Sequence, residues 1–108
     1  MSASFDIGDI DDVIHGRLRL GVMAYLSGAQ LADFNQLKAK LETTDGNLSV
    51  HLRKLEEAGY VAIEKTYSGR KPLTRVSLTE KGRDAFLVYL DAMSRLADET
   101  KANGGRAP

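Results

Sequence analysis

The chain has no cysteine, only two histidines, no surplus of either charge and no long apolar run. Without cysteine there is no disulfide framework, no thiolate metal site and no cysteine nucleophile. His15 and His51 are too few for a histidine-based zinc site without carboxylate help. No apolar stretch approaches the roughly 20 residues of a membrane helix, so no membrane partner is expected. Met1–Asp12 is acidic and has no apolar stretch of the kind a secretory leader carries, which predicts a cytoplasmic location. Catalytic equipment is lacking as well. There is no nucleophile–base pair, phosphate-cradling glycine loop or metal-ligand spacing, and Asp33, Glu42 and Asp45 form no recognisable carboxylate dyad. These absences predict a protein that is not an enzyme and takes no cofactor or metal.

What is present fits one domain over 1–108, with 43% hydrophobic and 28% charged residues. Fifteen Lys+Arg balance fifteen Asp+Glu. That balance argues against an indiscriminate nucleic-acid coat protein. The charges are nevertheless unevenly spread. Residues 1–15 carry −4, from Asp6, Asp9, Asp11 and Asp12. Residues 46–75 carry +3, with Arg53, Lys54, Lys65, Arg70, Lys71 and Arg75 against Glu56, Glu57 and Glu64. A neutral chain thus has a basic central third.

Apolar residues at spacings of three and four predict a helix from Ile10 to Leu26, with Gly16 and Gly21 either dividing it or allowing close packing. Ser27-Gly28 reads as its stop, and Leu31–Phe34 suits a brief strand. A second helix starts at Asp33, which has Gln36 three residues on, or at Asn35, and ends near Glu42. Thr44 can cap a helix over 45–58 by accepting from the N–H of Gly46 or Asn47, and Asp45 suits its positive end. Gly59 ends that helix. The apolar period then changes to two. Val61, Ile63 and Lys65 share a face, Tyr67–Pro72 is a polar turn, and Thr74, Val76 and Leu78 alternate on a return strand, giving a hairpin with a longer loop. Thr79 can cap a final helix over 79–98, whose stripe of Phe86, Tyr89, Leu90, Met93, Leu96 and Ala97 is widened by Leu87. Residues 1–4 and about 99–108 are expected to be disordered.

A helix pair joined by a tight turn and followed by a basic hairpin is the layout of a winged helix-turn-helix. The predicted class is α+β, mostly helical, with a two-stranded or three-stranded antiparallel wing. At 100° per residue, Leu48, Leu52 and Leu55 cluster on one side of the 45–58 helix. Gly46, Val50, Arg53 and Glu57 lie opposite, flanked by Asn47, Ser49 and Lys54. Such a face suits a major groove about 12 Å wide. There Thr44, Asp45 and Gly46 stand at the entering end. Asn47 can pair with an adenine edge, Ser49 with either partner, and Val50 can touch a thymine methyl. Asp45 would repel phosphates but can accept from a cytosine amino group. Arg53 and Lys54 suit phosphates, and Lys65, Arg70, Lys71 and Arg75 suit a wing on the backbone or minor groove. His51 reads equally as a partly buried structural residue or a phosphate contact, and His15 as a satisfied interface histidine.

The run Asp45–Val61 resembles the recognition helix and first wing strand of the MarR/ArsR superfamily of repressors. Tyr67–Thr74 looks like the wing of its short single-domain MarR-like members, and Leu78-Thr79-Glu80-Lys81-Gly82-Arg83 matches the "LTxKG" start of the helix after the wing. The resemblance covers roughly Ile10 to Met93. It implies a homodimer that binds palindromic double-stranded DNA operators as a transcriptional regulator, a repressor by kinship. It also implies pairing through the terminal helices, here by Ile10, Val13, Ile14, Phe86, Tyr89, Leu90, Met93 and Leu96. The helix Asn35–Leu41 has no cysteine, which excludes the ArsR-type metal site, and a small-molecule effector is left open. Glu56, Glu57 and the zero net charge keep a second class in view, a winged-helix protein-interaction module without operator recognition.

Overall fold

A computed structural model describes residues 6–104 of the chain. A 3-10 turn at Ile7–Asp9 leads into α1 (Arg17–Ala29), β1 (Leu31–Asp33), α2 (Phe34–Lys40), α3 (Asp45–Glu57), β2 (Val61–Ser68), β3 (Lys71–Leu78) and α4 (Glu80–Gly104). The three strands form one antiparallel sheet in the order β1-β3-β2. The α+β winged-helix class stands, and the wing has three strands.

Local chemistry sets most of the boundaries. Asp33 caps α2 in a reciprocal capping box with Gln36. Thr44 caps α3 by accepting from Asn47 N–H at 3.2 Å. Gly59 follows α3 at φ +82°, the left-handed region that a glycine adopts without strain. Thr79 caps α4 by accepting from Gly82 N–H at 2.9 Å, while its own hydroxyl reaches the carbonyls of Gly59 and Tyr60. A side chain at Gly82 would meet the Tyr60 carbonyl oxygen at 2.1 Å. The "LTxKG" segment is therefore the seam that seats α4 on the end of α3.

Three expected elements differ. The helix expected from Ile10 starts only at Arg17, after Gly16 in an extended conformation. Upstream, Asp11 Oδ1 accepts from the N–H groups of Val13 and Ile14, and the Arg19 guanidinium donates to the carbonyls of Val13 and Asp12. Side chains thus satisfy the backbone that a helix would have paired. Gly21 instead allows close packing, since a Cβ there would meet the Leu41 side chain at 2.7 Å. The hairpin loop is shorter than expected. Ser68 pairs with Lys71, leaving only Gly69 and Arg70 between the strands, and Gly69 at φ +66° occupies the first central position, the pattern of a type II′ turn. Finally, α4 continues to Gly104 instead of stopping at 98. Residues 99–102 are good or tolerable helix formers with no proline or glycine among them, and Thr100 Oγ1 donates back to the Leu96 carbonyl at 2.9 Å. The expectation for 1–4 and 105–108 lies outside the described residues.

The core joins every layer. Leu48, Leu52 and Leu55 of α3 pack with Val22, Met23 and Leu26 of α1, Leu37 of α2, Val61 and Val76 of the sheet, and Ile14, Phe86 and Tyr89. Each buried leucine contributes about 1.5–3 kcal/mol. Truncation of Leu52 to alanine would cost roughly 2–5 kcal/mol and loosen the helix whose opposite face is free.

Candidate nucleic-acid interface

The leucines bury one side of α3 and leave the other open. Thr44, Asp45, Gly46, Asn47, Ser49, Val50, Arg53 and Lys54 are all exposed. No neighbour lies within 4 Å of a Cβ built on Gly46, so the helix start offers bare backbone. The Thr44 hydroxyl is committed to capping. Asp45 has a partner that helical spacing did not reveal, because Lys38 on α2 reaches across the turn to its Oδ1 at 2.7 Å. That contact ties the helix pair together and offsets the one acid at the entering end.

Between α3 and the sheet runs a cleft of about 520 Å³, lined among others by Ser49, Arg53 and Glu56 of α3 and by Ile63, Lys65 and Thr74 of the wing. Strand register explains which wing residues reach it. Val61↔Leu78, Ile63↔Val76, Lys65↔Thr74 and Tyr67↔Pro72 are paired and share one face, which carries the core and then the cleft. Glu64↔Arg75 and Ser68↔Lys71 belong to the other face. Arg75 therefore sits between two acidic register partners, Glu64 on β2 and Asp33 on β1, and is not brought to the cleft. Arg70 and Lys71 stand exposed at the tip. Arg53 and Lys65 are the cations the fold gathers into the cleft, with Arg70 and Lys71 farther out along the hairpin. Tyr67 was missed as a candidate: its period-two relation to Lys65 is in the sequence, but reading Tyr67–Pro72 as a turn hides it.

Behind α3, His51 is half-buried, and its Nδ1 accepts from the Arg19 guanidinium at 2.8 Å, which places the imidazole proton on Nε2. Burial, then the charges of Arg19 and Lys54, push its pKa below the usual 6.5. This is the structural role, not an open phosphate ligand. The Tyr60 hydroxyl donates to Asp11 Oδ2. Burial first, then that hydrogen bond and the carboxylate charge, raise its pKa to about 12.

The pairing residues divide. Ile14, Phe86 and Tyr89 are 0%, 5% and 2% exposed inside the protomer's own core, so they have no surface to offer a partner. This corrects their assignment to an interface. Tyr89 holds His15 Nδ1 through its hydroxyl at 2.9 Å. Val13 is half-buried against the core, while Ile10, Met93 and Leu96 line a small cavity of about 260 Å³ with Ile7 and His15. Only Leu90 of the named α4 residues is exposed, and Leu87 and Val88 join it outside. α4 thus carries two apolar stripes one residue, about 100°, apart. Phe86, Tyr89 and Met93 face the core, while Leu87, Leu90, Ser94 and Ala97 face outward.

No group of three or more metal-ligating side chains exists among the described residues, and no helix there is long and apolar enough to cross a membrane. The chain is similar to an uncharacterized protein of Methanocaldococcus jannaschii, with 39% identity over 85 residues, 79% of this chain and 92% of the relative. Its fold superposes on a transcriptional regulator homologue from Pyrococcus horikoshii with a TM-score of 0.77 and 32% identity, covering 81% of this chain and 86% of that one. A MarR-family transcriptional regulator from Silicibacter pomeroyi shares the fold at a TM-score of 0.61 and 24% identity, covering 89% of this chain and 62% of that one. The family model described as "Winged helix DNA-binding domain" matches residues 18–97, and the chain belongs to that family.

Proposed function

We propose that this protein is a sequence-specific transcriptional regulator that binds duplex DNA as a homodimer and represses by occupying its operator. The observation that carries the reading is the open face of α3, small and polar at its start, beside a cleft holding Arg53 and Lys65. Gly46, Asn47, Ser49 and Val50 enter the major groove, where Asn47 and Ser49 hydrogen-bond base edges and Val50 meets a thymine methyl. Thr44 and Asp45 stand at the groove mouth, the latter neutralised by Lys38. Arg53, Lys54 and Lys65 hold the phosphates between groove and wing, and Arg70 and Lys71 extend that contact outward. Pairing runs through the outward stripe of α4, where Leu87 and Leu90 are 58% and 45% exposed and Ser94 and Ala97 let a second helix approach. Two α3 helices then address half-sites about 34–36 Å apart on a palindromic operator.

The test is fluorescence anisotropy on duplex DNA enriched from a random-sequence pool, repeated across a salt series. The expected result is an affinity that falls linearly in log–log form with salt and drops when Arg70 and Lys71 become alanine. Glu56 in the cleft favours a second reading, a protein-binding module. A flat salt response, with no sequence enriched from the pool, would support that reading instead.

A further inference from the structure

The wing tip carries an aromatic side chain that the fold leaves without a partner. Tyr67 is 69% exposed, and its register partner Pro72 is exposed beside it. Both belong to the face that continues outward from Ile63, Lys65 and Thr74, the wing wall of the α3 cleft. No acid lies on that face between Lys65 and Thr74, because Glu64 is on the other side of the pleat. Lys65 stands two residues behind the ring on the same face and Arg70 stands in the turn beyond it, while Lys71, like Glu64, belongs to the other side of the pleat. A flat ring framed by cations suits a polyanion that also offers apolar surface. It does not suit a second copy of the same face, which would set like charges together.

We infer that Tyr67, backed by Pro72, lays its ring against the deoxyribose wall of the minor groove next to the α3 site and supplies sequence-tolerant apolar affinity there. The inference rests on the DNA-binding reading above. The geometry suits a single side chain. Two strands about 4.8 Å apart are too wide, with their side chains, to lie flat in a groove about 6 Å across, whereas a two-residue turn lets one edge of the hairpin dip toward it. The ring reaches apolar atoms that the neighbouring ammonium and guanidinium groups do not use. Because the contact is apolar, it releases no counterions, unlike contacts of Arg70 or Lys71 with phosphate.

That difference gives the experiment its discriminating readout. Tyr67→Ala, Tyr67→Phe and Arg70→Ala are compared with the wild-type protein by anisotropy on the same pool-enriched duplex over a salt series, with circular dichroism to check folding. Tyr67→Ala is expected to weaken binding roughly tenfold at every salt concentration, leaving the log–log slope unchanged. Tyr67→Phe should restore affinity to within about twofold, and Arg70→Ala, which removes one phosphate contact from each protomer, should lower the slope by about two. The chain has no tryptophan, so Tyr67→Trp places a unique fluorophore at the tip, and its emission should change as DNA saturates it. Unaltered affinity of Tyr67→Ala, a reduced salt slope in that variant, or unchanged Trp emission on saturation would each overturn the inference while leaving DNA binding standing. An emission change on concentrating the free protein would assign the face to a second copy and overturn it too. If the wild-type protein shows no salt-dependent duplex binding, the functional reading itself fails and the inference falls with it.

Discussion

Replacing Gly46 with alanine should make the protein more stable and its DNA complex weaker. Gly46 lies in the first turn of α3 with an ordinary helical backbone, and a Cβ built on it meets no atom within 4 Å. The fold therefore accepts the methyl group, and the Gly→Ala change gains about 0.5–1 kcal/mol, less if the first turn dilutes helix propensity. The same open space is where a base edge or sugar must approach if α3 enters the groove by its N-terminal end. An added methyl in a close-packed contact costs about 1–3 kcal/mol, or roughly fivefold to a hundredfold in Kd. Gly28 in α1 provides the control, since it is also free of neighbours within 4 Å but lies on a different helix. Gly28→Ala should raise stability by a similar amount and leave DNA affinity alone. Urea denaturation measures one effect and anisotropy at fixed salt the other. If Gly46→Ala binds DNA as tightly as the wild-type protein, the first turn of α3 does not approach DNA closely, and the assignments of Asn47 and Ser49 go with it.

Gly82→Ala should act in the opposite sense on stability, because its methyl would lie 2.1, 2.8 and 2.9 Å from three backbone atoms of Tyr60. Moving α4 away strains the Thr79 hydrogen bonds, and a loss of about 2–4 kcal/mol is expected in denaturant titration. Leu87→Glu combined with Leu90→Glu should leave the protomer folded, as both residues are exposed, and convert a dimer to a monomer in sedimentation. A wild-type monomer at micromolar concentration would refute pairing through α4. His51 is more acidic in the folded protein than its usual 6.5, so the unfolded chain binds the extra proton first. Stability is then fully present above 6.5 and falls as pH drops through 6.5 toward the folded value. His51→Gln, which keeps an acceptor for Arg19, should flatten that part of the stability–pH curve.

What could be read from the sequence was what neighbouring residues decide. The Asp33 and Thr44 caps, the Gly59 stop and the leucine side of α3 depend on spacings of three or four, and they stand where those spacings put them. The segment after Ile10 carries the same spacing, but the Asp11 carboxylate and the Arg19 guanidinium take its backbone groups, and only Tyr60, which holds Asp11, lies far along the chain. α4 shows a different limit. A 3.6-residue period reveals that the helix is apolar over a wide arc, yet the arc alone does not say which part the protomer covers. Phe86 and Tyr89 fill the core, and the uncovered stripe is shifted by one residue. The same parity problem decided the wing. Reading Tyr67–Pro72 as a turn hides the period-two relation of Tyr67 to Lys65, and only the pairing of β3 with both neighbours shows that Arg75 lies between Glu64 and Asp33.

Zero net charge argues against an indiscriminate nucleic-acid binder, and the side-chain partners of the acids sharpen what it means. Asp9 is held by Arg95 at 3.3 Å, Asp11 by the Tyr60 hydroxyl and Asp45 by Lys38. These acids are engaged within the protein instead of opposing a ligand. Arg53, Lys54, Lys65, Arg70 and Lys71 remain exposed around α3 and the wing tip. Each phosphate they contact adds only about 0.9 to the salt slope, so one protomer should bind DNA weakly at physiological salt. Placing two such sets at one spacing makes the second encounter intramolecular and multiplies affinity without new contacts. A short, neutral chain can in this way discriminate an operator from bulk DNA, because bulk DNA rarely presents both half-sites in register. Variants that break the α4 pairing should therefore lose operator binding almost as completely as variants of α3 itself, although Leu87 and Leu90 touch no DNA in the proposed arrangement.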